Sequence, residues 1–529
     1  MDSHYLLHSR GLKSTACIWL FVLELLDMDE QVETGAIGNS QAQPLLWLVT
    51  ATLTGAILMS LELSAFRLYA PYFGYSIYVW GSMISVVMAA LAGGYALGGW
   101  LADRSQSATV LYLVILASGI YQLAIILTAR SILRWLWQSG EFFGTAVASL
   151  IIFAPTMTAL AVTGPFVIRL LGRAGHIGMT AGKVYALSTA GSIAGVLATS
   201  FYLVPRYGTR MTLQVCCAAT FLVAGGGLLK RKSIAGTAFL AALGAFFVPK
   251  PVFAPVVLWT TESAYNWIAV LHHEDLRWLV LNHPAYSQTT RKQGANWSGF
   301  YTDDFALGAS LVSPRRMLAL GMGAGGGIAS TIAVAPEIEI DAVEIDPKVV
   351  EAAVKFFGLP VDRKNFTVHV ADARPWLASH AQSYDLIQVD LYQGGPYIPF
   401  YLITEEFFEQ VRSRMAADGL LMMNVYDTSK SHELLMATGA TLKRVFSSVE
   451  VISRPDGNHM VLAFARSKTV TEIRERWAQM RGEQALQDLA RDAALAIVEL
   501  APPVGTTVFT DDLAPVEEMT RRMLGTHYQ

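Results

Sequence analysis

The chain has 529 residues, 53% hydrophobic and only 15% charged, with a formal net charge of −3. Soluble domains carry about 25% charged residues, which excludes a chain soluble along its whole length, and the near-neutral balance gives no basis for nucleic-acid binding. Cys17, Cys216 and Cys217 all lie in apolar runs, so they make neither a disulfide framework nor a metal site and read as small buried hydrophobes.

Residues 1–43 form an N-terminal segment expected to be interfacial or poorly structured. Its apolar run Ala16–Leu26 is too short to span, is followed by Asp27, Asp29 and Glu30, and lacks a small-residue cleavage site. Residues 44–250 carry very few charges and read as a multi-span transmembrane domain. Spanning takes about 20 predominantly apolar residues. Six stretches qualify, at 45–66, 78–101, 108–128, 144–168, 182–204 and 211–229, and a shorter seventh covers 233–248. Gly94 with Gly98 and Gly191 with Gly195 lie one turn apart, a spacing that lets helix backbones approach closely in lipid. Glu62, near the end of the first span, reads either as a functional intramembrane carboxylate or as half of an interfacial pair with Arg67.

Orientation follows the Lys/Arg bias of short loops. Arg104, Arg173, Lys183 and Lys230-Arg231-Lys232 fall on one side, and Arg67, Arg130, Arg134, Arg206 and Arg210 on the other. The bias is mild and puts the N-terminus inside. Six spans then leave the remainder of the chain in the cytoplasm, whereas a true seventh at 233–248 places it outside. The expected location is the cell inner or plasma membrane, multi-pass, with a cytoplasmic catalytic domain.

Residues 261–312 form a small β-rich lead-in with strand-like runs Trp267–Leu271 and Arg277–Leu281. Strand and helix patterns then alternate through 313–467: strands at Met317–Leu320, Glu339–Glu344, Phe366–His369, Tyr384–Asp390 and Gly419–Val425, with helical patterns between them. This alternation predicts a doubly wound, mostly parallel sheet. Residues 468–529 are expected as a C-terminal helical extension.

Ligands bind such sheets at the carboxyl ends of the strands. The first strand runs into Gly321-Met-Gly323-Ala-Gly325-Gly326, and Glu344, Asp372 and Asp390 close the next three. Glu344 is placed to bind ribose hydroxyls. Asp372 could instead cap the helix beginning Ala373-Arg374-Pro375. The glycine loop alone would suit a dinucleotide. A helix and Asp372 directly after the second acidic strand suit a single adenosine nucleoside, such as S-adenosylmethionine or a derivative.

Residues 261–465 resemble the polyamine aminopropyltransferases (spermidine synthases). The resemblance is carried by Ser-Ala-Tyr-Asn-Trp-Ile at 263–268, the glycine loop, Val-Glu-Ile-Asp-Pro at 343–347, Ala-Asp-Ala-Arg at 371–374, Tyr-Asp-Leu-Ile-Gln-Val-Asp at 384–390, and Tyr401 through Gly419. Segments in the apolar half, among them Glu62–Gly74, Val79–Ser82, Gly98–Arg104 and Tyr185–Gly195, together with the terminal Thr510-Asp511-Asp512, resemble the group in which a multi-span domain is fused to such a synthase. The implied fold is a membrane α-helical bundle plus an α/β domain. The latter is a Rossmann-like doubly wound sheet of the S-adenosylmethionine-dependent methyltransferase type, with a small N-terminal β subdomain.

The resemblance implies a transferase that moves an aminopropyl group from decarboxylated S-adenosylmethionine to an amine such as putrescine. Asp390 would be the general base, because an amine is a cation at pH 7 and must lose a proton to attack. Asn266, Gly321, Gly323, Gly325, Glu344, Asp372, Ala373 and Pro396 would bind the nucleoside, and Tyr301, Asp303 and Gln393 the acceptor. The implied partners are a small-molecule amine, the lipid bilayer and a second copy of the chain, with no nucleic acid and no metal. Two positions depart from the family. Ala324 and Gln393 stand where it usually has acids that help bind amine groups, so Asp303 and Asp304 are read as compensating acids or as solvated loop residues. Two alternatives stay open: a methyltransferase using intact S-adenosylmethionine, and a non-catalytic transporter or sensor that binds the nucleoside or a polyamine.

Overall fold

The computed structural model describes residues 42–525 apart from 75, 106, 173–176, 249–255 and 283–285. The run Ala16–Leu26 and Arg173 lie outside the described residues. The chain divides into two compact units, one of apolar helices and one formed by Val252 onward.

In the first unit, α1 (Ala42–Phe73), α2 (Ile77–Arg104) and α3 (Ala108–Leu136) are single long helices over the first three expected spans. The fourth, 144–168, is instead three pieces: α4 (Glu141–Ile152), α5 (Ala154–Ala161) and α6 (Thr163–Leu171). The physical reason is proline. Pro155 and Pro165 have no N–H to donate to the carbonyls of Ile151 and Ala161, so the ladder opens at both points. The Tyr121 hydroxyl of α3 donates to the freed Ile151 carbonyl, so a neighbouring helix supplies the partner that the proline removes. The fifth and sixth spans form one run, α7 (Ile177–Ala198), a π-helical turn Thr199–Leu203, and α8 (Val204–Gly227), interrupted at Gly208 with φ +80°. Counted as continuous runs, five described helices are long and apolar enough to cross a membrane.

The paired glycines sit at close helix contacts. A Cβ on Gly191 or Gly195 would fall 1.9 and 2.3 Å from the carbonyl oxygens of Thr52 and Ala56 on α1, and one on Gly94 or Gly98 would fall 2.4 and 2.7 Å from those of Thr158 and Val162. The short segment after the Lys230–Lys232 turn is α9 (Lys232–Gly244). It runs antiparallel to α8: Gly225 faces Ala238 and Phe239, Gln214 donates to the Ala245 carbonyl, and Arg210 to that of Val248. The Lys230–Lys232 turn and Val248 therefore lie at opposite ends of α8.

The second unit begins with an antiparallel meander, β1 (Val257–Glu262), β2 (Trp267–His273), β3 (Leu276–Leu281) and β4 (Ser287–Lys292). Helix α10 (Phe305–Val312) leads into an α/β domain. Its strands are β5 (Arg316–Leu320), β6 (Glu339–Glu344), β7 (Phe366–Val370), β8 (Tyr384–Val389), β9 (Met415–Tyr426), β10 (Ser448–Ser453), β11 (Asn458–Phe464) and β12 (Ile497–Glu499). Its helices are α11 (Gly326–Val334), α12 (Pro347–Phe357), α13 (Ala373–Ser379), α14 (Glu405–Ser413), α15 (Glu433–Val445), α16 (Val470–Ala478), α17 (Gln484–Ala496) and α18 (Val516–Gly525).

The eight strands lie in the order β12-β10-β11-β9-β8-β5-β6-β7. Only β7-β6-β5-β8-β9 is parallel; β11, β10 and β12 add antiparallel pairs. The expected mostly parallel sheet is thus a mixed one. A short turn joins β10 to β11, without the crossover that parallel pairing needs, so the chain reverses direction there. Helices cover both faces, so β5 alternates without a polar side: Leu318 and Leu320 enter one core, Met317 and Ala319 the other. The C-terminal segment, expected as helical, also contributes the edge strand β12.

Candidate functional site

The carboxyl ends of β5, β6, β7 and β8 open onto one cavity. The first turn is set by glycine. Gly321 has φ +80°, and a Cβ on it would fall 2.3 Å from the Asp390 carbonyl oxygen. The loop after β5 is thereby pressed onto the end of β8, where the Asp390 N–H donates to the Leu320 carbonyl. Gly323, φ +51°, turns its N–H to Glu344 Oε2 at 3.1 Å, and the Asp346 N–H donates to Glu344 Oε1 at 3.1 Å. Burial raises the Glu344 carboxyl to about 7 despite these donors.

Asp346 is not a cavity residue. It caps α12 through the Lys348 N–H at 2.9 Å and accepts from Ser263 Oγ and Asn266 Nδ2. Asn266 lines the cavity but spends its amide on Asp346 and on Asn282, whose own Nδ2 also reaches the Gln393 carbonyl at 3.0 Å. Asp372 does two things at once. One oxygen caps α13 through the Arg374 N–H at 3.0 Å, and the other accepts from the Tyr401 hydroxyl at 3.0 Å on the cavity wall.

Asp390 follows β8. Its side chain reaches the cavity, yet protein surrounds it, and this burial raises its carboxyl to about 7; donors on Tyr301 and Asn424 oppose the rise. The Tyr301 hydroxyl stands 3.0 Å from Asp390 Oδ2 and 3.0 Å from the Gln288 carbonyl. One hydroxyl proton has two acceptors. When Asp390 is ionised the phenol donates to it; when Asp390 is protonated it can donate to the phenol, which turns its proton to Gln288. Both charge states of the carboxyl are satisfied without movement of heavy atoms.

Gly321, Gly323, Asn266, Glu344, Asp372, Ala373, Asp390 and Gln393 therefore share the cavity. Five other residues that the sequence points to stand elsewhere. Gly325, φ +76°, is the N-cap of α11 and faces Leu359. Pro399 lines the wall where Pro396 was expected. Tyr301 sits behind Asp390 rather than on the wall. Asp303 folds back on its own loop, accepting from the Ser298 and Gly299 N–H groups, and Asp304 pairs with Arg454. Neither acid replaces those missing at Ala324 and Gln393. Asn282, Asn424, Tyr392 and Tyr401 complete the site and were not picked out individually. Asn424 had a signal: it is a lone amide between Met422-Met423 and Val425 in an otherwise apolar strand.

Comparison with known proteins places this geometry. Residues 306–455 match the spermine/spermidine synthase domain. The chain is 27% identical over 283 residues to a probable polyamine aminopropyl transferase of Bifidobacterium longum, covering 50% of this chain and 61% of the relative. It is 29% identical over 271 residues to the polyamine aminopropyltransferase of Vibrio vulnificus, covering 49% of this chain and 85% of that one. A crystal structure of a probable spermidine synthase from Corynebacterium glutamicum aligns with a TM-score of 0.39 at 20% identity, over 50% of this chain and 98% of that one. On these matches the chain carries a spermine/spermidine synthase domain at residues 306–455 and is similar to polyamine aminopropyltransferases over about half its length.

Proposed function

We propose that the protein is a membrane-anchored aminopropyltransferase that uses decarboxylated S-adenosylmethionine and a small amine. The observation that carries this reading is Asp390: a half-buried carboxyl at the end of β8, raised to about 7, in a cavity that it shares with Glu344 and Asp372. A general base works best with a pKa near the operating pH. Glu344 is the partner for ribose hydroxyls, Asp372 with Tyr401 flanks the adenine, and Gly321 and Gly323 let the backbone approach the nucleoside.

In the proposed step the amine nitrogen attacks the aminopropyl carbon bound to the sulfonium. The C–N bond forms, the C–S bond breaks with its electron pair going to sulfur, and methylthioadenosine leaves. The proton lost by the amine goes to Asp390. Tyr301 then turns its hydroxyl proton from Asp390 to the Gln288 carbonyl, so the newly neutral acid keeps a partner.

The apolar helices are proposed to anchor the enzyme in a bilayer. With α7 and α8 counted as separate spans, six precede α9, so if α9 also crosses, an inside N-terminus and a cytoplasmic catalytic half exclude each other, and the cytoplasmic supply of the donor favours the latter. Single cysteines at Lys230 and Val248 should then label from opposite faces of sealed vesicles; labelling from one face would make α9 re-entrant.

The activity is tested with purified protein, decarboxylated or intact S-adenosylmethionine, and putrescine or butylamine. Methylthioadenosine release that is lost in Asp390→Asn supports the proposal. Adenosylhomocysteine release points to methyl transfer. Nucleoside binding with neither product overturns both enzymatic readings.

A further inference from the structure

We propose that the acceptor is an amine with a single positive charge, such as a primary monoamine or an amine with an uncharged far end, and not a diamine held at both ends. The inference rests on the aminopropyl-transfer reading above and narrows its substrate class. Its basis is where every acid around the cavity directs its oxygens.

Glu344 is held by the N–H groups of Gly323 and Asp346, and Asp346 by Ser263, Asn266 and the Lys348 N–H. Asp372 is taken up by the Arg374 N–H and Tyr401. Asp303 closes its own loop, Asp304 is bound to Arg454, and Asp427 accepts from Ser429 and the Leu435 N–H. Each carboxylate is thus committed within the fold. Glu344 and Asp372 also line the cavity but are assigned above to the nucleoside, so Asp390, whose donors Tyr301 and Asn424 are likewise neutral, is the described lining acid left to meet the acceptor. The other polar groups on the wall near it, Gln288, Thr289, Tyr392 and Gln393, can accept hydrogen bonds but bring no charge.

The donor already brings a sulfonium and an ammonium into this cavity. A diamine adds two more positive charges at pH 7. One of them meets Asp390 and gives up its proton there. The second would lie among neutral amides, and a cation that the bound donor shields from water is disfavoured where no counter-charge faces it. A monoamine offers the same attacking nitrogen without that charge, and the aromatic ring of Tyr392 on the wall beside Asp390 suits one ammonium.

The test compares butylamine with putrescine at saturating decarboxylated S-adenosylmethionine, reading methylthioadenosine release. A site built to recognise the second ammonium would disfavour butylamine by orders of magnitude, so a putrescine advantage in kcat/KM below about fivefold supports the proposal, and a larger one overturns it. About twofold of any advantage is statistical, because putrescine has two attacking ends. In a second arm, Gln393→Asp puts a carboxylate on the wall; the putrescine-to-butylamine ratio should rise about tenfold, the effect of one added charge-assisted hydrogen bond. An unchanged ratio in a folded, nucleoside-binding variant overturns the charge argument. No methylthioadenosine from either amine is a different failure, because it removes the transfer reading itself.

Discussion

The two halves of this chain satisfy their buried polar groups with different shares of local and long-range partners. In the apolar helices many hydroxyls bond along their own helix, Thr50, Thr54 and Ser64 each donating to the carbonyl four residues back, and those that cross, such as Ser60 to Gly195 and Ser192 to Gly55, reach the backbone of a neighbouring helix. In the α/β half the polar side chains reach across the fold. Ser263 meets Asp346, Tyr301 meets Asp390, and Asn282 meets the Gln393 carbonyl, over separations of 83, 89 and 111 residues. Local satisfaction leaves the helices free to pack through backbone and glycine. Long-range satisfaction makes the site a product of the whole sheet, so a single side chain there has consequences that one in the bundle does not.

The sharpest break of this contrast is at Asp390. Asp390→Asn keeps the shape and removes the base; methylthioadenosine release should fall by about 10³-fold, while nucleoside binding measured by calorimetry stays close to that of the wild type. The bundle is broken through glycine instead. Gly191→Val drives a Cβ into the Thr52 carbonyl, and overpacking of this kind costs about 1–3 kcal/mol. Thermal unfolding in detergent should show that loss, with Gly93→Val, where no atom lies within 4 Å, as the control that changes little.

A third effect has its sign fixed by linkage. The Asp390 carboxyl sits at about 7 in the fold against 3.8 unfolded. Between these values the folded state holds a proton that the unfolded state has lost, so stability from this group is full below pH 4 and is lost as pH rises to about 7. Asp390→Asn should therefore unfold at a higher temperature than wild type at pH 8, by about 1–3 kcal/mol, and the gap should close near pH 4. Catalysis runs the other way: kcat/KM should climb through pH 7 as the base ionises.

The smallest expected effect is at Asn424. Its Nδ2 lies 3.4 Å from Asp390 Oδ1, and its own Oδ1 is buried without a partner. An orphan carbonyl costs stability, so Asn424→Leu should unfold no earlier than wild type. Without that donor the carboxylate form of Asp390 is less favoured, and the acid limb of the pH–rate profile should move up by about half a unit. An unmoved limb would show that Asn424 only fills space.

Much of the molecule was legible in the sequence because its physics is local. Composition separated the halves, and three spans and the strand–helix alternation followed from runs and periods a few residues long. The glycine loop was legible for the same reason, since Gly321 must take a positive φ wherever this turn is built. Some local signals were present but were read too simply. Pro155 and Pro165 break the fourth span, Gly208 divides the fifth run, and Asn424 stands alone among apolar neighbours.

What only the tertiary structure decided is which acids remain available. Asp303, Asp346, Asp372 and Asp390 look alike in sequence. The fold gives the first two to a loop and a helix cap, lets Asp372 serve both cap and cavity, and leaves Asp390 facing the cavity with neutral donors behind it. A carboxylate's chemistry depends on the donors that reach it in space. Those donors come from residues dozens of positions away, which no local pattern can supply.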